Sequence, residues 1–92
     1  MKVTYSPESI GDLQRVVEFI EPKNPFAARR IAIDIQEGIE KLKKFPLAGL
    51  PVISAFEPEK IRDLYIGNYT VRYLVENQRI HILRVWHNKE NS

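Results

Sequence analysis

The chain has 92 residues, of which 43% are hydrophobic and 28% charged, with a formal net charge of +2 and no cysteine. That is the length of one domain, residues 1–92, able to bury roughly 60–65% of the surface its unfolded form exposes, with the composition of an ordinary globular protein. The missing cysteines exclude disulfides, thiolate nucleophiles and cysteine-ligated zinc, and the small net charge does not by itself demand a nucleic-acid partner.

The start, Met1-Lys2-Val3-Thr4-Tyr5-Ser6-Pro7-Glu8, has no apolar leader, and no apolar run reaches membrane-spanning length. A cytoplasmic protein with no membrane partner is expected. Lys2 to Tyr5 reads as a short strand. Ser6-Pro7-Glu8 reads as a helix start: Ser6 caps the free amides, Pro7 suits the first helical position, and Glu8 sits at the positive end of the dipole. Ile10, Leu13, Val17 and Ile20 then fall on one helical face, and Pro22 ends the helix. Asn24-Pro25 repeats the device for a second helix, with Ala28, Ile31, Ile35, Ile39 and Leu42 on one face and Lys41, Lys43 and Lys44 near its negative end. Phe45-Pro46 stops it. The Pro-rich join predicts an antiparallel helical hairpin.

Residues 46–59 are the longest irregular stretch. Within them, Val52-Ile53-Ser54-Ala55-Phe56 is apolar enough to be expected against the body. Three strands follow, with Gly67-Asn68 and Asn77-Gln78 as two-residue hairpin turns. In the middle strand Tyr69, Val71, Tyr73 and Val75 share one face, and Thr70, Arg72, Leu74 and Glu76 the other. In the last strand strict alternation sets Ile80, Ile82, Arg84 and Trp86 against His81, Leu83, Val85 and His87, both faces apolar. The expected architecture is α+β, in the order β-α-α-β-β-β. A helical hairpin packs on one face of a small, mainly antiparallel sheet, and the other face carries arginines.

From Lys60 to Lys89 there are six cations (Lys60, Arg62, Arg72, Arg79, Arg84 and Lys89) and two anions (Asp63 and Glu76), so the sheet half is the cationic half. An arginine keeps its charge, and near a core it needs a carboxylate, a phosphate or water. Arg62, Arg72 and Arg84 have two readings. One is pairing within the chain, with Asp63, Glu76 or Glu59 as partners. The other is a recognition surface for phosphate or for an acidic partner. His87, beside Asn88-Lys89, could act as a general base or simply bond backbone at a strand end. Trp86 is either core edge or a contact anchor. The two histidines are six residues apart with no third ligand in view, so no metal site is expected. No phosphate-binding Gly-rich loop, nucleophile elbow or paired carboxylate appears. Chemistry, if any, would rest on arginine, lysine and histidine, an inventory that fits phosphodiester cleavage.

These residues carry a family likeness. Ser6-Pro7-Glu8-Ser9-Ile10-Gly11-Asp12-Leu13, Asn24-Pro25-Phe26-Ala27-Ala28-Arg29, Ile39-Glu40-Lys41-Leu42-Lys43-Lys44-Phe45-Pro46 with Gly49-Leu50-Pro51, then Arg62-Asp63-Leu64, Tyr69-Thr70-Val71-Arg72-Tyr73 and Ile82-Leu83-Arg84-Val85-Trp86-His87 resemble the RelE/ParE superfamily of toxins. The likeness runs from about residue 3 to residue 89. It implies the toxin of a type II toxin–antitoxin module, without a cofactor, neutralised by a cognate antitoxin in a hetero-oligomer.

ParE-like members inhibit DNA gyrase and are associated with plasmid stabilisation. RelE-like members cut messenger RNA on the ribosome. Thr70 stands where the ribonucleases tend to place an arginine, and the tail Asn88-Lys89-Glu90-Asn91-Ser92 offers only Lys89. The likeness therefore leans to the ParE-like branch, a gyrase-binding inhibitor more than an enzyme, with Arg72, Arg84, Trp86 and His87 as candidate target contacts. The alternatives are an endoribonuclease using Arg62, Arg72, Arg84, His87 or Lys89, and a non-toxic module that keeps only the antitoxin contact. Leu13, Val16 and Phe19 on the first helix and Ile33 and Gln36 on the second are the candidate antitoxin groove.

Overall fold

Two side-chain caps and two prolines set where the helices begin. In the computed structural model, which describes residues 1–89, Ser6 Oγ accepts from the Ser9 amide at 2.9 Å and Asn24 Oδ1 from the Ala27 amide at 3.0 Å, each followed by proline at the first helical position. Glu90, Asn91 and Ser92, the end of the tail considered above, lie outside the described residues. The elements are β1 (Lys2–Tyr5), α1 (Pro7–Ile20), α2 (Pro25–Leu42), β2 (Leu50–Pro51), β3 (Ile61–Ile66), β4 (Tyr69–Glu76) and β5 (Arg79–His87). The order is the expected β-α-α-β-β-β with one added two-residue strand.

The strands form one sheet in the order β1-β5-β4-β3-β2. β1 runs parallel to β5, and the other pairs are antiparallel. Both hairpin turns fall where their residues require. Gly67 takes φ +57°, which favours glycine, and Asn77 and Gln78 take φ +52° and +59°, as a type I′ turn demands at both central positions. The helices cover one face of the sheet. There Val16 of α1 and Ile35, Ile39 and Leu42 of α2 pack on Tyr69, Val71, Tyr73, Ile80, Ile82 and Val85.

Three local expectations fail, each for a physical reason. First, α1 is turned by about one residue from its most apolar stripe. Ser9, Asp12 and Val16 are buried while Ile10 is exposed. Polar burial is possible because each group is satisfied: Ser9 Oγ donates to the Ser6 carbonyl at 2.8 Å, and Asp12 has several donors, described below.

Second, β5 does not alternate strictly. Tyr73 pairs with Ile82 but Arg72 pairs with Arg84, so Leu83 is an extra residue at a bulge. Beyond it the faces exchange, so that Val85 and His87 join Ile80 and Ile82 on the helix side while Arg84 and Trp86 go to the other.

Third, Val52–Phe56 does not lie wholly against the body, since Ile53 is 85% and Phe56 97% exposed.

The irregular stretch is nevertheless tied down. The Tyr73 hydroxyl donates to the Pro46 carbonyl and accepts from the Gly49 amide, both at 2.8 Å. A Cβ on Gly49 would stand 2.8 Å from the Tyr73 ring and 2.9 Å from the Asp63 carbonyl oxygen. Neither can yield freely, because the ring is fully buried and the carbonyl belongs to a strand. Gly49→Ala is therefore expected to destabilise the fold by about 1–3 kcal/mol, read as a lowered urea midpoint.

Candidate functional site

The open edge of the sheet next to α1 organises the charged side chains. β1 pairs with β5 only as far as Tyr5 opposite Ile82, and the chain then turns into α1. Ser6 carries the join, its amide donating to the Ile82 carbonyl at 2.9 Å and its hydroxyl to the Leu83 carbonyl at 2.8 Å. Among the described residues, β5 has no strand on that side from Arg84 to His87. Asp12, only 4% exposed, fills the place. Its Oδ2 accepts from the Val85 amide at 2.9 Å and from Arg84 Nε at 2.8 Å, its Oδ1 from Arg84 Nη2 at 3.1 Å, and Arg15 adds a third cationic contact. Burial by itself would raise the Asp12 carboxyl. The hydrogen bonds from Arg84 and Val85, with the charges of Arg84 and Arg15, outweigh it and hold the group below the ordinary carboxylate range.

Arg84 is thus drawn round the strand edge to a helix carboxylate, although its backbone position faces the side away from the helices. Arg72 stays on that outer side. It forms a bidentate pair with Asp63 across β3 and β4, at 2.8 and 2.9 Å, and its guanidinium lies 5.1 Å from the centre of the Trp86 ring. The hydrogen bond to Asp63 is the main reason the Arg72 proton is held even more tightly than usual. Thr70, next to Trp86 in register, is buried and donates to Asn88 Oδ1.

Arg62 belongs to neither group. It donates to the carbonyls of Glu59, Leu47 and Gly49 and holds the 46–59 stretch against the β2 edge. His87 lies on the helix side, its ring 5.0 Å from and perpendicular to that of Tyr69, and its Nδ1 accepts from the Lys89 amide.

The five residues considered for phosphodiester cleavage therefore do not all converge: His87 and Lys89 share one groove with Arg15, Arg84 is held at the neighbouring Asp12, and Arg62 and Arg72 lie elsewhere. Arg62, Arg72 and Arg84 occupy three separate settings, and His87 and Lys89 are on the opposite side of the sheet from Arg72. Of the candidate target contacts, Arg72 lies against Trp86, Arg84 and Trp86 line one shallow pocket with Asp12 and Arg15, and His87 is on the other face. Among the described residues no group of three or more His, Asp or Glu side chains is placed to hold a metal, and no helix is long and apolar enough to cross a membrane.

The candidate antitoxin residues fare differently. Leu13, Val16 and Gln36 line an apolar groove of about 270 Å³ between the helices, with Tyr5, Val17 and Ile39. Val16 and Phe19 line a second groove of about 550 Å³, between α1 and the end of β5, with Arg15, Tyr69, His87 and Lys89. Ile33 is exposed on α2 and lines neither. Val16 is also a core residue, so it forms the floor of both grooves.

Asp12 was not singled out by sequence reasoning. An acid one turn from Ser9 and Val16 can be buried only where a cation reaches it, and nothing within α1 names the strand residue that does. Only the bulge at Leu83 reveals which one.

Residues 3–92 match the family model described as the ParE toxin of the type II toxin–antitoxin system parDE. The chain is 25% identical over 87 residues to Toxin RelE2 of Caulobacter vibrioides, covering 94% of this chain and 93% of that one. Among solved structures, it resembles the chromosomal ParDE system from P. aeruginosa, with TM-score 0.78, 21% identity and 95% of both chains covered. It also resembles the RelBE2 toxin–antitoxin complex from Mycobacterium tuberculosis, with TM-score 0.66, 19% identity and 94% and 95% covered. For the RelB–RelE complex from Methanococcus jannaschii the values are 0.59, 21%, and 96% and 93%.

The Asp12 clamp has a pH signature. A carboxyl whose pKa is lowered on folding contributes stability that is complete above its unfolded value of about 4 and is lost as pH falls from there through the lowered folded value. Asp12→Asn keeps the shape and an acceptor for Val85 but not the charge. The variant is expected to be less stable than wild type in urea at pH 7, with the gap narrowing towards about pH 3. An equal gap at both pH values would mean that the charge of Asp12 contributes nothing.

Proposed function

The chain belongs to the ParE toxin family of type II toxin–antitoxin systems, and we propose that it acts on DNA gyrase as a binding inhibitor and is neutralised in the cytoplasm by a cognate antitoxin. The observation that carries this reading over a ribosome-dependent nuclease is the scattering of the would-be catalytic groups. Phosphodiester cleavage needs a proton acceptor, a proton donor and a cation for the developing charge within reach of one phosphate. Here Arg72 and Arg84 each hold an internal carboxylate in a two-point grip, and His87 faces away from Arg72. The family model, which is that of the ParE toxin, supports the same choice.

The antitoxin partner is supported by relatives of this fold that are found in RelBE and ParDE systems, and by the two grooves beside α1. An amphipathic segment laid along them would contact Leu13, Val16, Phe19 and Gln36. Arg15 and Lys89 at the second groove suit acidic residues in that segment.

Two assays run side by side test the target. Purified toxin is expected to abolish supercoiling by gyrase and to leave ribosome-bound message intact. Cleaved message with supercoiling unaffected would overturn the reading. His87→Ala adds a check: gyrase inhibition is expected to stay within about threefold of wild type, whereas a nuclease dependent on His87 would lose cleavage outright.

A further inference from the structure

The 46–59 stretch inverts the usual economy of a surface loop. Loops ordinarily send polar side chains outward and leave the backbone mobile. Here the backbone is fastened by buried or half-buried groups while the large side chains face solvent. Tyr73 holds Pro46 and Gly49, and Arg62 holds Leu47, Gly49 and Glu59. The Val52 amide donates to the Ile61 carbonyl at 3.0 Å, and the Lys60 and Ile61 amides donate to the Glu57 carbonyl. Upon this fixed frame Phe45, Leu47, Leu50, Ile53 and Phe56 are between 59% and 97% exposed. Their exposed fractions add up to roughly several hundred Å² of apolar surface within residues 45–56, the order of the largest patches on ordinary monomers. The amount is also of the order of the ~800 Å² each partner contributes to a standard interface.

We infer that this β2-edge platform is the surface through which the toxin docks on its target protein, against an apolar face edged by carboxylates. The assignment rests on the gyrase reading above for the identity of the partner. Charge selects that chemistry. Lys41 and Lys44 stand exposed where α2 runs into Phe45, and Lys44 Nζ lies 5.7 Å from the Phe45 ring. The neighbouring Lys43 and Lys60 are already paired, with Glu40 and with Glu57 and Glu76. Glu59, exposed in the same stretch, carries the opposite sign, and an acidic rim on a different protein would complement the Lys41 and Lys44 end of the platform. The platform also lies at the sheet edge opposite β1, away from the grooves that flank α1.

The test is direct binding of purified toxin to gyrase holoenzyme, with supercoiling as the second readout. Ile53→Asp combined with Phe56→Asp removes the two most exposed anchors. Both side chains are almost wholly in solvent, so the melting temperature is expected to stay within about 2 °C of wild type, while gyrase affinity falls by about tenfold or more. Lys41→Glu with Lys44→Glu is expected to slow association at low ionic strength and to have less effect in high salt. A folded Ile53→Asp, Phe56→Asp variant that binds gyrase like wild type overturns the docking assignment and leaves the gyrase reading standing. A wild-type chain that does not bind gyrase at all sinks the gyrase reading, and this partner with it. A wild-type dimer in solution that the same variant dissolves, with gyrase affinity unchanged, assigns the platform to a second copy instead and overturns the proposal.

Discussion

A single carboxylate closes the gap between helix and sheet. β1 is too short to accompany β5 along its length, and a strand edge left open exposes unpaired backbone to any passing chain. Asp12 covers the first part of that edge by accepting from the Val85 amide, and it survives burial because Arg84 and Arg15 bring their charges to it. The consequences spread in both directions. On the helix, the requirement turns α1 so that Ser9 and Asp12 face inward and Ile10 outward. On the strand, it withdraws Arg84 from the outer face. α1, stitched to β5 by Ser6 and then by Asp12, forms with its later turns a wall of the grooves on either side.

The bulge at Leu83 is the second half of the same arrangement. Without it, Ile82 and Arg84 would share a face, and the arginine would point into the hydrophobic layer formed with α1 and α2. One extra residue exchanges the faces, so that Val85 continues the core and Arg84 can reach round the edge. It also puts His87 on the helix side, against Tyr69, and Trp86 on the outer side, where the Arg72 guanidinium lies near the indole. Of the cations read in the sheet half, Lys60, Arg72 and Arg84 thus become ion pairs within the chain, and Arg62 holds backbone carbonyls.

Much of the architecture could be read from local chemistry. Ser6-Pro7 and Asn24-Pro25 announce their helices by capping. Gly67-Asn68 and Asn77-Gln78 announce their turns by backbone conformation, and the α2 stripe from Ala28 to Leu42 is buried as its period indicates. These signals act within a few residues. What escaped depends on partners far along the chain. Asp12 and Arg84 are 72 positions apart, and no pattern in α1 says that a carboxylate there is preferable to Ile10. A bulge leaves no periodic trace in a strand that is apolar on both faces. Tyr73 and Arg62 anchoring Pro46, Leu47 and Gly49 likewise could not be inferred from a stretch whose own residues suggest only a turn. Of the site residues, the pairing of Arg72 with Asp63 was among the alternatives because cross-strand neighbours are countable once a hairpin is placed.

The two edges of the sheet end up with opposite characters, and the difference follows from how each is closed. At the α1 side, closure is by polar groups on a helix, which leaves concave apolar grooves suited to a chain that folds as it binds. At the β2 side, closure is by a loop whose backbone polarity is consumed internally, which leaves convex apolar side chains suited to a preformed pocket or face. On the proposed reading, the antitoxin takes the first kind of surface and the target the second. The residues that fasten each edge, Asp12 and Arg84 on one side and Arg62 and Tyr73 on the other, are also members of the same two central strands or of the elements resting on them. The two edges are therefore joined through β5 and β4, strands that lie between them.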